Sequence, residues 1–170
     1  IETDQGAMVA RLLPELAPNT TSNLVMLARS DFYKDLCFHR IVKGFMIQGG
    51  DPQGDGAGGP GFTLPGEFSK TRKHLRGTLS MARSSHPDSA GSQFFVMDGA
   101  SQHLDGQYTI FGELVLGLEI LNKIVALPVR PGAGGENSDP LTKPKIKSIS
   151  VEVAAKEAGK KLGVNMRDIF

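Results

Sequence analysis

One arginine stands inside an apolar and aromatic run, Phe38-His39-Arg40-Ile41-Val42-Lys43-Gly44-Phe45-Met46-Ile47-Gln48-Gly49-Gly50-Asp51. These residue types suit a shallow greasy pocket with one strong hydrogen-bond fork at its lip, rather than a metal site or a covalent nucleophile. Strand alternation predicts Phe38, Arg40 and Val42 on one face and His39 and Ile41 on the other. Arg40 then shares its face with apolar neighbours, where an unpaired charge is costly. It needs an acceptor, either in the protein or on a ligand. Gln48, one strand further on, is a candidate to orient it. The bland alternative is a surface arginine that packs its stem on Phe38.

Other chemistries fare worse. The glycine loop Gly54, Gly56, Gly58, Gly59 and Gly61 could cradle a phosphate in a nucleotide-binding barrel, but it lacks the Gly-Lys-Ser/Thr ending and no helix follows it. A long turn between strands fits it better. His39, His74, His86 and His103 are scattered without an i, i+4 pair, so no metal site is expected. Ser92 follows Gly91 without the G-x-S-x-G elbow of a hydrolase. Cys37 is the single cysteine, which excludes an internal disulfide and reads as a buried, inert thiol.

The elements that must position Arg40 are short. Strands are expected at Ala7–Leu13, Cys37–Val42, Phe45–Gln48, Gly77–Ala82, Phe94–Met97, Thr109–Leu114 and Lys145–Val153. Short strands divided by 21 glycines and 10 prolines point to a mainly β protein, a barrel or sandwich. Helical spacing appears over Pro18–Ser30 and Leu118–Leu127, the second stopped by Pro128. Two such helices could cover the open ends of a barrel. Val129–Pro144 reads as a Pro/Gly-rich mobile loop. The 170 residues suit one domain, 1–153, followed by a charged tail, 154–170.

Net charge is +1, which gives no reason to expect nucleic acid or an anionic membrane as partner. No apolar run approaches membrane-spanning length. The chain starts at Ile1 rather than Met, so an upstream part (a start codon, a leader or another domain) is expected to have been removed or not included. A cytoplasmic location is the working expectation, with export to the periplasm or beyond left open. A monomer is the default.

Four blocks resemble the cyclophilin peptidyl-prolyl isomerases: Phe38–Asp51, Gly77–Ala82, Gly91–Phe95, and Leu104-Asp105-Gly106 with Phe111-Gly112. Their order and separations match as well, from Gly6 to about Val125. The resemblance implies a closed eight-stranded antiparallel β-barrel capped by two α-helices, with a substrate groove on its outer surface. It implies a rotamase that accelerates rotation about X–Pro bonds in folding proteins, in a chaperone-like role, without cofactor, metal or ATP. It maps a catalytic group onto Arg40, Phe45 and Gln48. It maps substrate-binding positions onto Met46, Gly56, Ala82, Arg83, Ser84, Gln93, Phe95, His103, Leu104 and Tyr108. The implied partners are proline-containing peptides and unfolded or folding proteins. Three positions depart from the common pattern. His103 replaces a frequent tryptophan, which implies weak cyclosporin binding at most. Tyr108 replaces a frequent histidine, and Arg83 a frequent asparagine. These departures keep open another class of function, a non-catalytic proline-peptide-binding module or assembly scaffold.

Overall fold

The computed structural model describes residues 1–152. The expected tail 154–170 and the last residue of the expected strand Lys145–Val153 lie outside them. The described chain runs β1 (Glu2–Thr3), β2 (Gly6–Ala7), β3 (Val9–Leu12), α1 (Pro18–Arg29), β4 (Phe38–Val42), β5 (Met46–Gly49), β6 (Thr78–Met81) and β7 (Phe94–Met97). It continues with β8 (Ile110–Leu116), α2 (Leu118–Val125), β9 (Val129–Pro131), β10 (Asn137–Pro140) and β11 (Ile146–Ser148). The described chain is mainly β with two α-helices, as the sequence predicts.

All the ladders are antiparallel. Six strands form the principal sheet in the order β3-β8-β6-β7-β5-β4, beside a three-stranded sheet β11-β1-β2 and the hairpin β9–β10. These are three open sheets, so the described ladders do not make the closed ring expected from the sequence. A single bridge, Cys37 with Lys145, joins the segment before β4 to the segment before β11.

The core is built from Phe38, Ile41, Ile47, Leu79, Phe94, Val96 and Phe111 of the sheet, against Leu24 and Leu27 of α1 and Leu121 and Ile124 of α2. Those four helix residues come from the two stretches with helical spacing, so each helix buries the stripe that the sequence predicts. Pro18 occupies the first turn of α1, where its missing N–H is not needed. No side chain of α1 caps that end. Glu67 does it from a distant loop: one carboxylate oxygen accepts from Asn19 N and Nδ2, the other from Thr20 N and Oγ1.

Two further expectations need correction. Phe38 does not share the face of Arg40. It is fully buried in the core, whereas Arg40 is half-exposed. The cause is a register shift between Phe38↔Gly49 and Arg40↔Gln48, which puts an extra residue on β4 and resets the alternation there. The other correction concerns Val129–Pro144, which is not simply a loop, since it contains the paired strands β9 and β10.

Candidate active site

Strand register assembles the site. Arg40 of β4 pairs with Gln48 of β5, Gln48 pairs with Phe95 of β7, and in the next row Val42 pairs with Met46 and Met46 with Met97. The two-residue period of each strand sends this set to one side of the sheet. There Met46, Phe95, Met97 and Leu104 form a buried cluster distinct from the main core, with Val42, Phe45, Ala82 and Tyr108 packed against it at partial exposure. The Phe95 and Tyr108 rings meet edge to face at 5.9 Å. His103 is exposed at the rim, its ring 5.9 Å from that of Phe45. The floor is therefore apolar and aromatic, with edges open to solvent.

Arg40 lies beside this floor. Its Cζ is 5.8 Å from the centre of the Phe45 ring, and Nη1 is 3.8 Å from Met46 Sδ. Nη1 also donates to Gln48 Oε1 at 3.4 Å. A chain of bonds continues away from the arginine. Gln48 Nε2 donates to Gln93 Oε1 at 2.9 Å, and Gln93 Nε2 donates to the carbonyls of Gly56 and Gly58 at 2.9 and 2.8 Å. Both ends of the Gln93 amide are thus engaged.

The loop that receives this chain is organised by Asp51. Its buried carboxylate accepts from the backbone N–H groups of Gln53, Asp55 and Gly56. Burial pushes the Asp51 pKa up, but these three donors outweigh it and hold the group below the usual carboxylate range. Gly56 sits at φ +94°, a conformation that glycine tolerates and other residues rarely adopt.

The opposite wall comes from the segment after β6. The Arg83 guanidinium lies 4.6 Å over the Tyr108 ring and donates from Nε to Gln107 O at 2.9 Å. Ala82 N donates to Gln93 O at 3.0 Å, and Ser84 is exposed, its N–H bound to Ser89 Oγ at 2.9 Å. Behind the floor, buried His74 stacks at 6.1 Å on Phe95 and joins Asp105 Oδ1 at 3.0 Å to Ser80 Oγ at 3.1 Å. Burial depresses the His74 pKa despite that carboxylate. Ser80 in turn donates to Thr109 O, so its hydroxyl is tied to the scaffold rather than presented to the groove. Cys37 is half-buried, and burial raises its thiol pKa, which disfavours a reactive thiolate. Among the described residues no group of three His, Cys, Asp or Glu is gathered to hold a metal ion.

A half-exposed guanidinium beside a partly exposed aromatic and apolar cluster is suited to binding and polarising a neutral ligand. The family model for cyclophilin-type peptidyl-prolyl cis-trans isomerases matches residues 1–151. The chain belongs to that family. It is 41% identical over 155 residues to peptidyl-prolyl cis-trans isomerase-like 3 of Gallus gallus, covering 89% of this chain and 93% of that one. It is 42% identical over 157 residues to peptidyl-prolyl cis-trans isomerase-like 2 of Rhizopus delemar, covering 90% of this chain. The match spans only 28% of that longer relative. A crystal structure of a Cryptosporidium parvum cyclophilin-type isomerase, determined in the presence of the dipeptide Ala-Pro, superposes with TM-score 0.83 at 36% identity. That superposition covers 90% of this chain and 97% of the other.

Within this cyclophilin fold, Phe45, Met46, Phe95, Leu104 and Tyr108 share one cluster, and Arg40, Gln48 and Gln93 share one hydrogen-bonded chain that ends at Gly56. Ala82, Arg83 and Ser84 follow one another along the opposite wall, and His103 stands at the rim. Sequence reasoning missed Glu136. Its Oε2 accepts from Arg40 Nη2 at 2.8 Å, across 96 positions of the chain. No spacing signal could have found it, because the contact depends on a hairpin that the sequence hides in a glycine run. Asp51 was visible in the first block, but its three backbone bonds were not.

Proposed function

We propose that this cyclophilin accelerates cis–trans isomerisation of X–Pro bonds in peptide and protein substrates, with Arg40 as the catalytic residue. Amide resonance sets a barrier near 20 kcal/mol, and uncatalysed exchange takes tens to hundreds of seconds, roughly. Millisecond exchange requires about five decades of rate, on the order of 7 kcal/mol. No bond to carbon breaks, so the protein must bind the twisted amide better than either planar form.

Two features of the site support this. The cluster of Phe45, Met46, Phe95, Leu104 and Tyr108 offers a fixed apolar seat of the right character for a proline ring. With the ring held, the peptide on its N-terminal side can turn. As resonance is lost the proline nitrogen gains a usable lone pair, and Arg40 can donate to it only near the top of the barrier, which is differential binding. Gln48 and Gln93 steady the arginine through the chain of bonds to Gly56. Ala82, Arg83, Ser84 and His103 line the path of the substrate backbone on the other side. The single observation that carries this reading is the cross-strand row Arg40, Gln48 and Phe95, which joins the guanidinium to a member of the apolar floor.

We also read the strands as one eight-stranded barrel. β2 and β3 are interrupted only at Met8, and the Cys37–Lys145 bridge lies between the neighbouring sheets. A closed scaffold of that kind would keep the groove rigid from beneath.

The experiment is exchange NMR on a short Ala-Pro peptide with the protein at catalytic concentration. Cis–trans exchange accelerated far beyond the uncatalysed rate is expected. Peptide binding with no change in exchange rate would favour the non-catalytic proline-binding module instead.

A further inference from the structure

The contact between Arg40 and Glu136 lies outside the apolar floor and the glutamine chain. Glu136 stands immediately before β10, directly after the run Gly132-Ala133-Gly134-Gly135. Its backbone is fixed on the hairpin: Gly132 N donates to Glu136 O at 2.8 Å, and Ser138 Oγ donates to the same oxygen at 3.3 Å. The side chain leaves the hairpin and meets Arg40 Nη2 at 2.8 Å. The two side chains are 36% and 47% exposed, so the pair sits at the surface rather than in the core.

Without Glu136, the remaining holds on the guanidinium are weak. Gln48 accepts at 3.4 Å, beyond the usual N–H···O distance, and Met46 Sδ is at 3.8 Å. The carboxylate contact is the short, charge-assisted one. It engages one N–H of Nη2 and, among the described residues, leaves Nε–H and the second Nη2 hydrogen unengaged, since the other contacts all use Nη1. An arginine otherwise loses considerable rotamer freedom when it is fixed in one pose. A carboxylate that fixes it beforehand, without filling the fork, raises the fraction of encounters in which the donor is correctly placed.

We propose that Glu136 is a positioning residue for Arg40: the β9–β10 hairpin supplies the anion that holds the catalytic guanidinium ready at the groove mouth. This rests on the catalytic role proposed above for Arg40. Because Glu136 acts through Arg40 and its own contacts lie on the arginine, its loss should appear in kcat with KM little changed. Because the pair is solvent-exposed, salt should weaken it.

The test compares the whole chain with its Glu136→Ala, Glu136→Gln, Arg40→Ala and Arg40→Ala/Glu136→Ala variants, by exchange NMR on an Ala-Pro peptide at low and high salt. A thermal melt of each variant checks folding. Glu136→Ala is expected to lose about three- to tenfold in kcat. Glu136→Gln, which keeps an acceptor without the charge, should recover part of that loss. The wild type should slow with added salt more steeply than either variant. In the Arg40→Ala background, removing Glu136 should cost nothing further. A Glu136→Ala protein as fast as wild type, or faster, with unchanged salt dependence, overturns the proposal while leaving Arg40 in its role. The same holds if the Glu136 loss persists undiminished in the Arg40→Ala background. Full activity of Arg40→Ala would instead remove the catalytic reading on which this one rests.

Discussion

The surroundings of Arg40 leave it oriented but unspent, as the proposed role requires. Nη1 touches Gln48 and Met46, Nη2 touches Glu136, and part of the fork stays free. Gln48 is the pivot of this arrangement, since it receives from Arg40 and donates to Gln93. Gln48→Leu preserves volume and the strand but cuts that chain and strands the Gln93 carbonyl. The expected result is about a tenfold fall in kcat/KM, with a stability loss of about 1 kcal/mol, read by an isomerisation assay beside a urea titration. At this scale the sequence was informative. Arg40, Gln48 and the apolar set Phe45, Met46, Phe95, Leu104 and Tyr108 could be named from type, order and resemblance. Glu136 could not, because proximity between β4 and β10 has no signature in spacing. The face of Phe38 was misjudged for a related reason: the register shift beside Arg40 depends on pairing with β5, which local alternation cannot report.

The strands and helices matter here as positioning devices. Both helices were legible because each carries a clean apolar stripe and a proline at one end. The strand Phe94–Met97 was legible from its residue types alone. The pair β9–β10 was not, because glycine and proline dominate Val129–Pro144 and hide two strands held by partner hydrogen bonds rather than by propensity. The cap of α1 was hidden too, since Glu67 is 47 residues from Thr20 in sequence. That cap gives a direct test. Glu67→Ala leaves the first-turn N–H groups of α1 without their carboxylate and should destabilise the protein by about 1–2 kcal/mol. The corresponding fall in Tm is roughly 2–8 °C. Because the helix lies outside the candidate groove, kcat/KM of the folded variant should stay near wild type. An unchanged melt would show that water satisfies those donors equally well.

The whole molecule buries two imidazoles whose charging opposes folding. His39 is buried with no hydrogen-bond partner among the described residues for either ring nitrogen, and His74 is buried behind Phe95. For both, desolvation is the leading cause of a pKa below the ordinary 6.5. The unfolded chain therefore binds protons at these sites before the folded one does. Their stability contribution is complete above pH 6.5 and is lost as pH falls from there toward the folded values. Asp51, held below its ordinary 3.8, adds a further loss only below that pH. Stability, read by urea titration at stepped pH, should accordingly decline as pH falls below about 6.5, with a slope of at most about 1.4 kcal/mol per pH unit for each histidine. A flat profile over that range would mean that the histidines charge without cost. In the proposed function this scaffold holds one guanidinium beside a proline seat, and a single comparison tests that proposal most directly. Isomerisation rate and peptide affinity are measured together for wild type and Arg40→Ala, on the same Ala-Pro peptide and with a melt to show that the fold is kept. The expected result is a loss of about 10²–10³ in kcat with peptide Kd changed only slightly, because the arginine acts on the twisted amide. Equal turnover in the folded variant, or a loss that appears wholly in Kd, would contradict the account.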